Sequence, residues 1–461
     1  MRVLKFGGSS LADWQRIENV AKIVLDEFQR GKIVVVLSAM KGVTDRLIDA
    51  SRKAEMGREG YREDIRWISE KHFETVRRLF QPKDQTGIIT SLQLMFNEID
   101  DLLHGVELIR ECSPKTRDLI MSFGERMSCT LFASYIESRG VKAEMVDARE
   151  CIKTNNRFGS AIVDFERSYK LTAGKLKGKV LPVITGFIAS TEEGITTTLG
   201  RNGSDYTASI VGAAIGAECI EIWTDVDGVL SADPGYVKDA FVIPQLSYQE
   251  AMELSYFGAK VIHPYTMIPA VEKRIPIRIR NSLNPSAEGT LITESVERQD
   301  RAVTGIASID SIALINVEGG GMIGIPGVAA RIFGALAKAS VNIMMISQAS
   351  SEHSICLVFN ESDSQKALDS LREELALELE TKRIENFELK RDLVMIAIIG
   401  ENMRGTPGIS GKLFSSLGRE GINVFAIAQG SSERNISFII SKKDEVRALN
   451  TIHTAFLKGK G

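Results

Sequence analysis

The chain has 461 residues, 44% of them hydrophobic and 25% charged, the balance of an ordinary globular protein of two or three domains and not of a disordered one. Its formal net charge is −3 with acids and bases interspersed, so neither nucleic acid nor a membrane surface is expected as the main partner. No apolar run reaches the roughly 18 residues of a membrane span, the N-terminal MRVLKFGGSS lacks the apolar core of a signal peptide, and five widely spaced cysteines without a CxxC pair read as reduced thiols of a cytoplasmic protein.

Val3–Phe6 and Ile33–Leu37 are short runs rich in β-branched residues, ending in Gly7-Gly8-Ser9-Ser10 and Ser38-Ala39. Between them Trp14–Gln29 carries Ile17, Val20, Ala21, Val24, Leu25 and Phe28 at helical spacing. Strand, helix, strand is a βαβ unit of a parallel sheet. Residues 45–140 read as mostly helical, with Ser113-Pro114 as an N-cap followed by proline. Thr196–Ser209, TTTLGRNGSDYTAS, reads as too polar for a buried strand and as a loop built to hold a small anion. Val180–Gly186, Cys219–Thr224 and Ile275–Arg280 supply further apolar strands, so the sheet should be covered on both faces. The composition changes at Pro285–Thr293, and a domain boundary is expected at about residue 300.

Beyond that boundary the chain repeats itself. Residues 321–359 lie over 402–440, pairing Met322 with Met403, Pro326-Gly327 with Pro407-Gly408, Phe333 with Phe414, Asn342 with Asn423 and Gln348 with Gln429. Each copy reads as a βαββαβ module. The second copy runs out of chain before its last strand. Val303–Ser308 is therefore expected to complete its sheet, interleaving the two modules.

Four glycine-containing loops follow the strands. In Lys5-Phe6-Gly7-Gly8-Ser9-Ser10 the glycines let main-chain amides approach a phosphate, and Lys5 adds a full positive charge, although a strand-end Gly-Gly is also an ordinary turn. In Gly200–Asp205, Arg201 suits a carboxylate, Asp205 suits a magnesium ion or a lysine, and Ser204 can touch an anion; a helix start capped by Ser204 or Asp205 explains the same residues. Thr224-Asp225-Val226-Asp227-Gly228, followed by Asp233-Pro234, fits either a turn or a nucleotide pocket beyond a strand's carboxyl end. Phe257-Gly258-Ala259-Lys260 offers a second cation, which by itself could face solvent. Glu125, Ser38 and Thr44 have equally plain readings as surface, turn and cap residues.

Taken together, KFGGSS, SFGERMS, TLGRNGSDYTA, WTDVDGV with Asp-Pro, and YFGAKVIHP resemble the aspartate kinase family over nearly the whole chain. The resemblance implies an α/β amino-acid-kinase fold, a mostly parallel sheet sandwiched by helices, over 1–300. Two interleaved ACT domains would follow at 309–390 and 391–461, the second completed by 303–308. It implies transfer of a phosphoryl group from MgATP to the β-carboxylate of L-aspartate, giving 4-phospho-L-aspartate, with Mg2+ brought by the nucleotide. Lys5, Asp205 and Lys260 would be catalytic, and Ser38, Thr44, Glu125, Arg201 and Ser204 would hold aspartate. Lys5, Gly7, Gly8, Ser9, Thr224, Asp225, Leu230, Asp233, Pro234, Gly235 and Lys260 would hold ATP. The acceptor carboxylate is already ionised at neutral pH, so no general base is required. Two departures stand out: the family often has tyrosine at Leu230 and arginine at Gly235, and weaker ATP binding is the expected consequence.

The ACT resemblance implies amino-acid binding and association into a dimer or tetramer. Ile346, Gln348, Ile427 and Gln429 would read the effector; a glutamine facing water at a sheet edge is the plain reading of the same residues. The surrounding MISQASSEH and AIAQGSSER resemble threonine-sensitive members, including those fused to homoserine dehydrogenase, so threonine is favoured over lysine. A catalytically weak amino-acid sensor and another small-carboxylate kinase of the same fold are the competing readings. The stretch AFLKGKG reads as a plain C-terminus, and no dehydrogenase domain is expected within these residues.

Overall fold

A computed structural model describes residues 1–257, 263–296, 301–320, 327–348 and 353–458. The described chain forms two compact units. The first comprises residues 1–229 with Pro244–Tyr248 and the segment up to Val296.

Ten strands build the first unit: β1 (Arg2–Phe6), β2 (Ile33–Leu37), β3 (Ala143–Val146), β4 (Leu181–Thr185), β5 (Ile188–Ser190), β6 (Thr196–Thr198), β7 (Ile220–Thr224), β8 (Gln245–Ser247), β9 (Ile277–Asn281) and β10 (Thr290–Thr293). Eight of them form one sheet in the order β3-β4-β2-β1-β7-β9-β10-β8, parallel except where β10 runs against β9. β2 and β4 are buried throughout, as expected of strands covered on both faces. The chain leaves β1 toward β2 on one side and reaches β7 on the other, so β1 is a topological switch point with the strand ends converging there.

The helix expected after β1 spans Trp14–Arg30, capped by Asp13, whose carboxylate accepts from the Arg16 amide at 2.9 Å. Residues 43–138 form the helices Val43–Glu55, Tyr61–Leu79, Pro82–Ile109 and Pro114–Ser138. The last starts at Ser113-Pro114, with the Ser113 hydroxyl accepting from Thr116 N. Its buried face, with Ile120, Phe123, Met127 and Phe132, joins Leu4, Phe6, Val20 and Trp223 in one apolar core.

One expectation fails here. Thr196–Thr198 is a fully buried strand paired with β5, not an open loop. Its polarity is satisfied internally: Asp118 accepts from the Thr198 amide and hydroxyl, each at 2.9 Å, and Thr197 Oγ1 lies 2.7 Å from Thr154 Oγ1. A buried polar strand is tolerated when every group finds such a partner.

The second unit holds β11 (Gly305–Glu318), β12 (Met345–Gln348), β13 (Ser354–Asn360), β14 (Asn386–Ile399), β15 (Ala426–Gln429) and β16 (Asn435–Ser441), in the order β12-β13-β11-β14-β16-β15. β11 and β14 each bend near Ser311 and Asp392, where φ turns positive and the register shifts. Gly305–Ile309 consequently pairs with Met395–Ile399 beside β16, while Ile312–Glu318 pairs with β13. The two halves have separate cores, one around Ile315, Ile332, Leu357 and Leu371, the other around Ile396, Leu413, Phe438 and Leu449.

The division of the chain departs from a single cut near residue 300. Leu230–Ile243 and the segment from Gln249 also belong to the second unit. Ala232 and Val237 bury their side chains in the core of Phe438 and Leu449, and Ser231 Oγ lies 3.2 Å from His453 Nε2.

Candidate active site

Each loop of the first unit that the sequence singles out after β1, β2 and β6 opens into one cleft of about 390 Å³. Lys5, Gly7, Gly8, Ser9, Ser38, Thr44, Glu125, Arg201, Ser204 and Asp205 all line it. Apart from Glu125, which projects from the middle of the helix Pro114–Ser138, these residues come from strand ends and the loops and helix starts that follow them, where open α/β folds bind ligands.

Gly7 and Gly8 keep the floor open. A Cβ on Gly8 would lie 3.1 Å from the Ala39 carbonyl oxygen, and one on Gly7 would lie 3.4 Å from Lys5 Nζ. The approach at Gly8 is to backbone and tight, whereas the one at Gly7 is ordinary contact with the end of a flexible side chain. Lys5 Nζ sits 2.5 Å from Asp205 Oδ1, both side chains about nine-tenths buried, so the pair is held inside the cleft wall.

Asp205 is placed by the turn before it. Gly200 and Asn202 take left-handed backbone, and the helix Gly203–Ile215 begins with Asn202 at its N-cap position. Ser204 and Asp205 therefore stand in its first turn and do not cap it, contrary to the helix-start reading. Gly203 packs under Phe187, whose own φ is +65°, and Gly186 lies against Ser204. A helix N-terminus opening onto a cleft that also holds Lys5, Lys41 and Arg201 suits an anion. Arg201 and Asn202 are exposed at the rim.

Glu125 lies on the helix Pro114–Ser138 and is only 3% exposed. Its Oε1 accepts from the Ala39 amide at 3.1 Å, while Oε2 is buried with no hydrogen-bond partner. Burial raises its pKa to about 8, because the charged form lacks solvation. Such a carboxyl is poised for a cation that brings its own charge, and the α-ammonium of an amino acid meets that description. Ser38 is held by its backbone: its amide donates to Phe6 O at 3.1 Å and its carbonyl accepts from Ser128 Oγ at 2.7 Å.

A scan against family models matches the amino acid kinase family over residues 1–281 and an ACT domain over 315–375 and 396–456. Aspartokinase 3, chloroplastic, of Arabidopsis thaliana is 37% identical over 99% of this chain and 81% of its own length. The chain belongs to the aspartokinase family. Among solved structures, Escherichia coli aspartokinase III in complex with aspartate and ADP is 31% identical and covers 100% of both chains with a TM-score of 0.82. The Clostridium acetobutylicum aspartate kinase has a TM-score of 0.85 at 29% identity, covering 99% of this chain and 100% of its own. Bifunctional aspartokinase/homoserine dehydrogenase 2, chloroplastic, of Arabidopsis thaliana is 39% identical over 98% of this chain. The chain spans about half the length of the bifunctional plant relatives it matches.

Within this aspartokinase fold the remaining sequence candidates fall as follows. Thr224 ends β7 and Asp225 follows it, with Thr224 Oγ1 donating to Asp225 Oδ1 at 3.2 Å. Asp227 is occupied structurally, accepting from Asn281 Nδ2 at 2.8 Å and Asn284 Nδ2 at 3.1 Å. Leu230, Asp233, Pro234 and Gly235 lie in the second unit, where Asp233 Oδ1 accepts from the Gly235 amide at 2.7 Å. Lys260 lies outside the described residues. Ile346 and Gln348 are on β12, Ile427 and Gln429 on β15, and Ser347 Oγ donates to Ile427 O at 3.0 Å, bringing the two pairs side by side. Of these four residues, only Ile346 lines the adjoining cavity of about 210 Å³ formed with Met344, Met395 and Ser437.

Five lining residues escaped the sequence reading: Met40, Lys41, Gly42, Asp45 and Phe187. Lys41 and Asp45 flank Thr44 in the segment after β2, so proximity to a candidate loop was the available signal. Phe187 gave none; its role follows from a backbone conformation that sequence does not show.

Proposed function

We propose that the chain is an aspartate kinase that phosphorylates the β-carboxylate of L-aspartate with MgATP, yielding 4-phospho-L-aspartate and ADP. One observation carries this reading: a single cleft gathers Lys5, Ser38, Thr44, Glu125, Arg201, Ser204 and Asp205, the residues that an amino dicarboxylate and a phosphoryl group require.

The roles follow from the chemistry. Glu125 receives the α-ammonium and Arg201 a carboxylate, which together orient aspartate. The ionised β-carboxylate is itself the nucleophile: its oxygen forms the new bond to the γ-phosphorus as the bond to the ADP oxygen breaks. Lys5 and the Gly7–Ser9 amides stabilise charge on the phosphoryl group in flight. Asp205 holds Lys5 in place and presents a carboxylate suited to a magnesium ion carried by the nucleotide. Among the described residues no cluster of three or more acidic, histidine or cysteine side chains is placed to hold a metal ion. When bound, that ion neutralises polyphosphate charge.

The ACT modules supply feedback control, with threonine as the effector read by the paired Ile346–Gln348 and Ile427–Gln429 segments, in a homodimer or tetramer. The acyl phosphate would feed the lysine, threonine and methionine pathways. Among the described residues no helix is long and apolar enough to cross a membrane; a cytoplasmic enzyme is our reading. ADP release coupled to a dye-linked assay tests the substrate. Turnover with L-aspartate and none with L-glutamate or N-acetyl-L-glutamate is expected; turnover with either alternative in place of aspartate would overturn the reading.

A further inference from the structure

We propose that Lys41 is a further substrate-binding residue, a cation that contacts the acceptor carboxylate and then the acyl phosphate it becomes. The proposal rests on the aspartate kinase reading of the same cleft.

Lys41 lies on the loop Ser38–Gly42 that follows β2 and lines the cleft with the other substrate residues. The loop's backbone is fixed on several sides. The Ala39 amide is bound by Glu125 Oε1 at 3.1 Å, Ser38 O by Ser128 Oγ at 2.7 Å, and Lys41 O by Lys71 Nζ at 3.1 Å. Gly42 then turns the chain through left-handed backbone into the helix Val43–Glu55. A rigid main chain with an exposed lysine at the cleft wall holds the stem in place and leaves the ammonium free to meet a ligand.

Charge balance points the same way. Aspartate brings two carboxylates and the donor brings a polyphosphate. Of the cleft's cations, Lys5 is already paired with Asp205 at 2.5 Å. Lys41 and Arg201 form no ion pair among the described residues. Arg201 can take one carboxylate in bidentate fashion, which leaves the second without a free cation unless Lys41 supplies it. Lys71 adds positive charge at the same loop, and the helix start behind Gly42 adds partial positive charge. Asp45 is the acidic residue of that first turn and lines the cleft against them; Asp49 and Glu55 lie further along the helix.

The test compares Lys41→Met and Lys41→Arg with wild type. Because the Lys41 side chain is exposed, both variants should keep the wild-type melting temperature. Lys41→Met should lower kcat/KM for aspartate about tenfold or more, the usual loss when a charged hydrogen bond to substrate is removed, and should flatten the dependence of kcat/KM on ionic strength. Lys41→Arg should recover most of both. A Lys41→Met enzyme within twofold of wild type, or one no better after arginine replacement, overturns the proposal. Calorimetric binding of aspartate to wild type and Lys41→Met separates this from failure of the kinase reading. Aspartate bound more weakly by the variant, in a wild type without turnover, supports Lys41 while removing the kinase.

Discussion

Glu125 makes the sharpest prediction, because its burial sets a pH dependence with a definite sign. The free protein holds this carboxyl at about 8 through desolvation, yet an ammonium ligand needs it ionised. With that pKa, about one tenth of the sites are charged at pH 7 and about one hundredth at pH 6. Apparent affinity scales with the competent fraction. The affinity for aspartate should therefore rise about tenfold from pH 6 to 7 and level off above pH 8, with close to one proton released per aspartate bound in the lower range. Calorimetry in two buffers of different ionisation enthalpy reads both quantities. Glu125→Gln should abolish the slope and weaken binding by about 10²-fold above pH 8, the cost of leaving a buried charge without its partner, with the gap closing toward pH 6. The same pKa fixes a stability trend. A carboxyl raised from 4.5 to about 8 favours the folded state only while protonated. Wild type should therefore lose stability relative to Glu125→Gln as pH climbs from about 4.5, with the loss complete above about 8. Aspartate affinity that is flat from pH 6 to 8 in the wild type would refute the argument.

Lys5→Ala should collapse turnover and leave the fold intact, checked by steady-state rates and circular dichroism; near-normal turnover would remove Lys5 from the mechanism. Asp118→Ala leaves the two buried donors of Thr198, and the amide of the exposed Gly159, without their acceptor. A destabilisation of about 3 kcal/mol in urea unfolding is expected, and a loss below 1 kcal/mol would show that water replaces the carboxylate. Gly186→Ala would place a Cβ 2.5 Å from Ser204 Oγ and 2.9 Å from Leu37 O. It should cost about 1–3 kcal/mol and raise the KM for aspartate; an unaltered KM would separate Ser204 from substrate. Gly235→Arg, which adds the cation that the family resemblance leads one to expect there, should lower the KM for ATP and leave that for aspartate unchanged.

The cleft was legible because its parts carry local signals. Gly7-Gly8 after a strand, and Gly200 to Asp205 before a helix, announce close backbone approach and an exposed helix start. Their convergence follows from a parallel sheet whose loops share one edge. What sequence could not show was partnership across distance. The threonines of β6 read as loop because their acceptor, Asp118, lies 80 residues away. Ala232 lies inside the Leu230–Gly235 segment read as lining a nucleotide, since nothing local says that it and Val237 bury against Phe438 and Leu449. Lys41 carried no signal of its own in the sequence; the fold sets it in the same cleft as Ser38 and Thr44. The duplication survived inspection at this level because matched glycines, asparagines and glutamines recur in the same order in both copies.

The central claim is best tested by trapping the acyl phosphate as its hydroxamate, from L-aspartate and MgATP, across a threonine titration. The account predicts hydroxamate formation that depends on aspartate, disappears in Lys5→Ala and falls as threonine rises. Formation indifferent to threonine would discard the effector. No hydroxamate from a protein that still binds aspartate and ATP would contradict the kinase assignment itself.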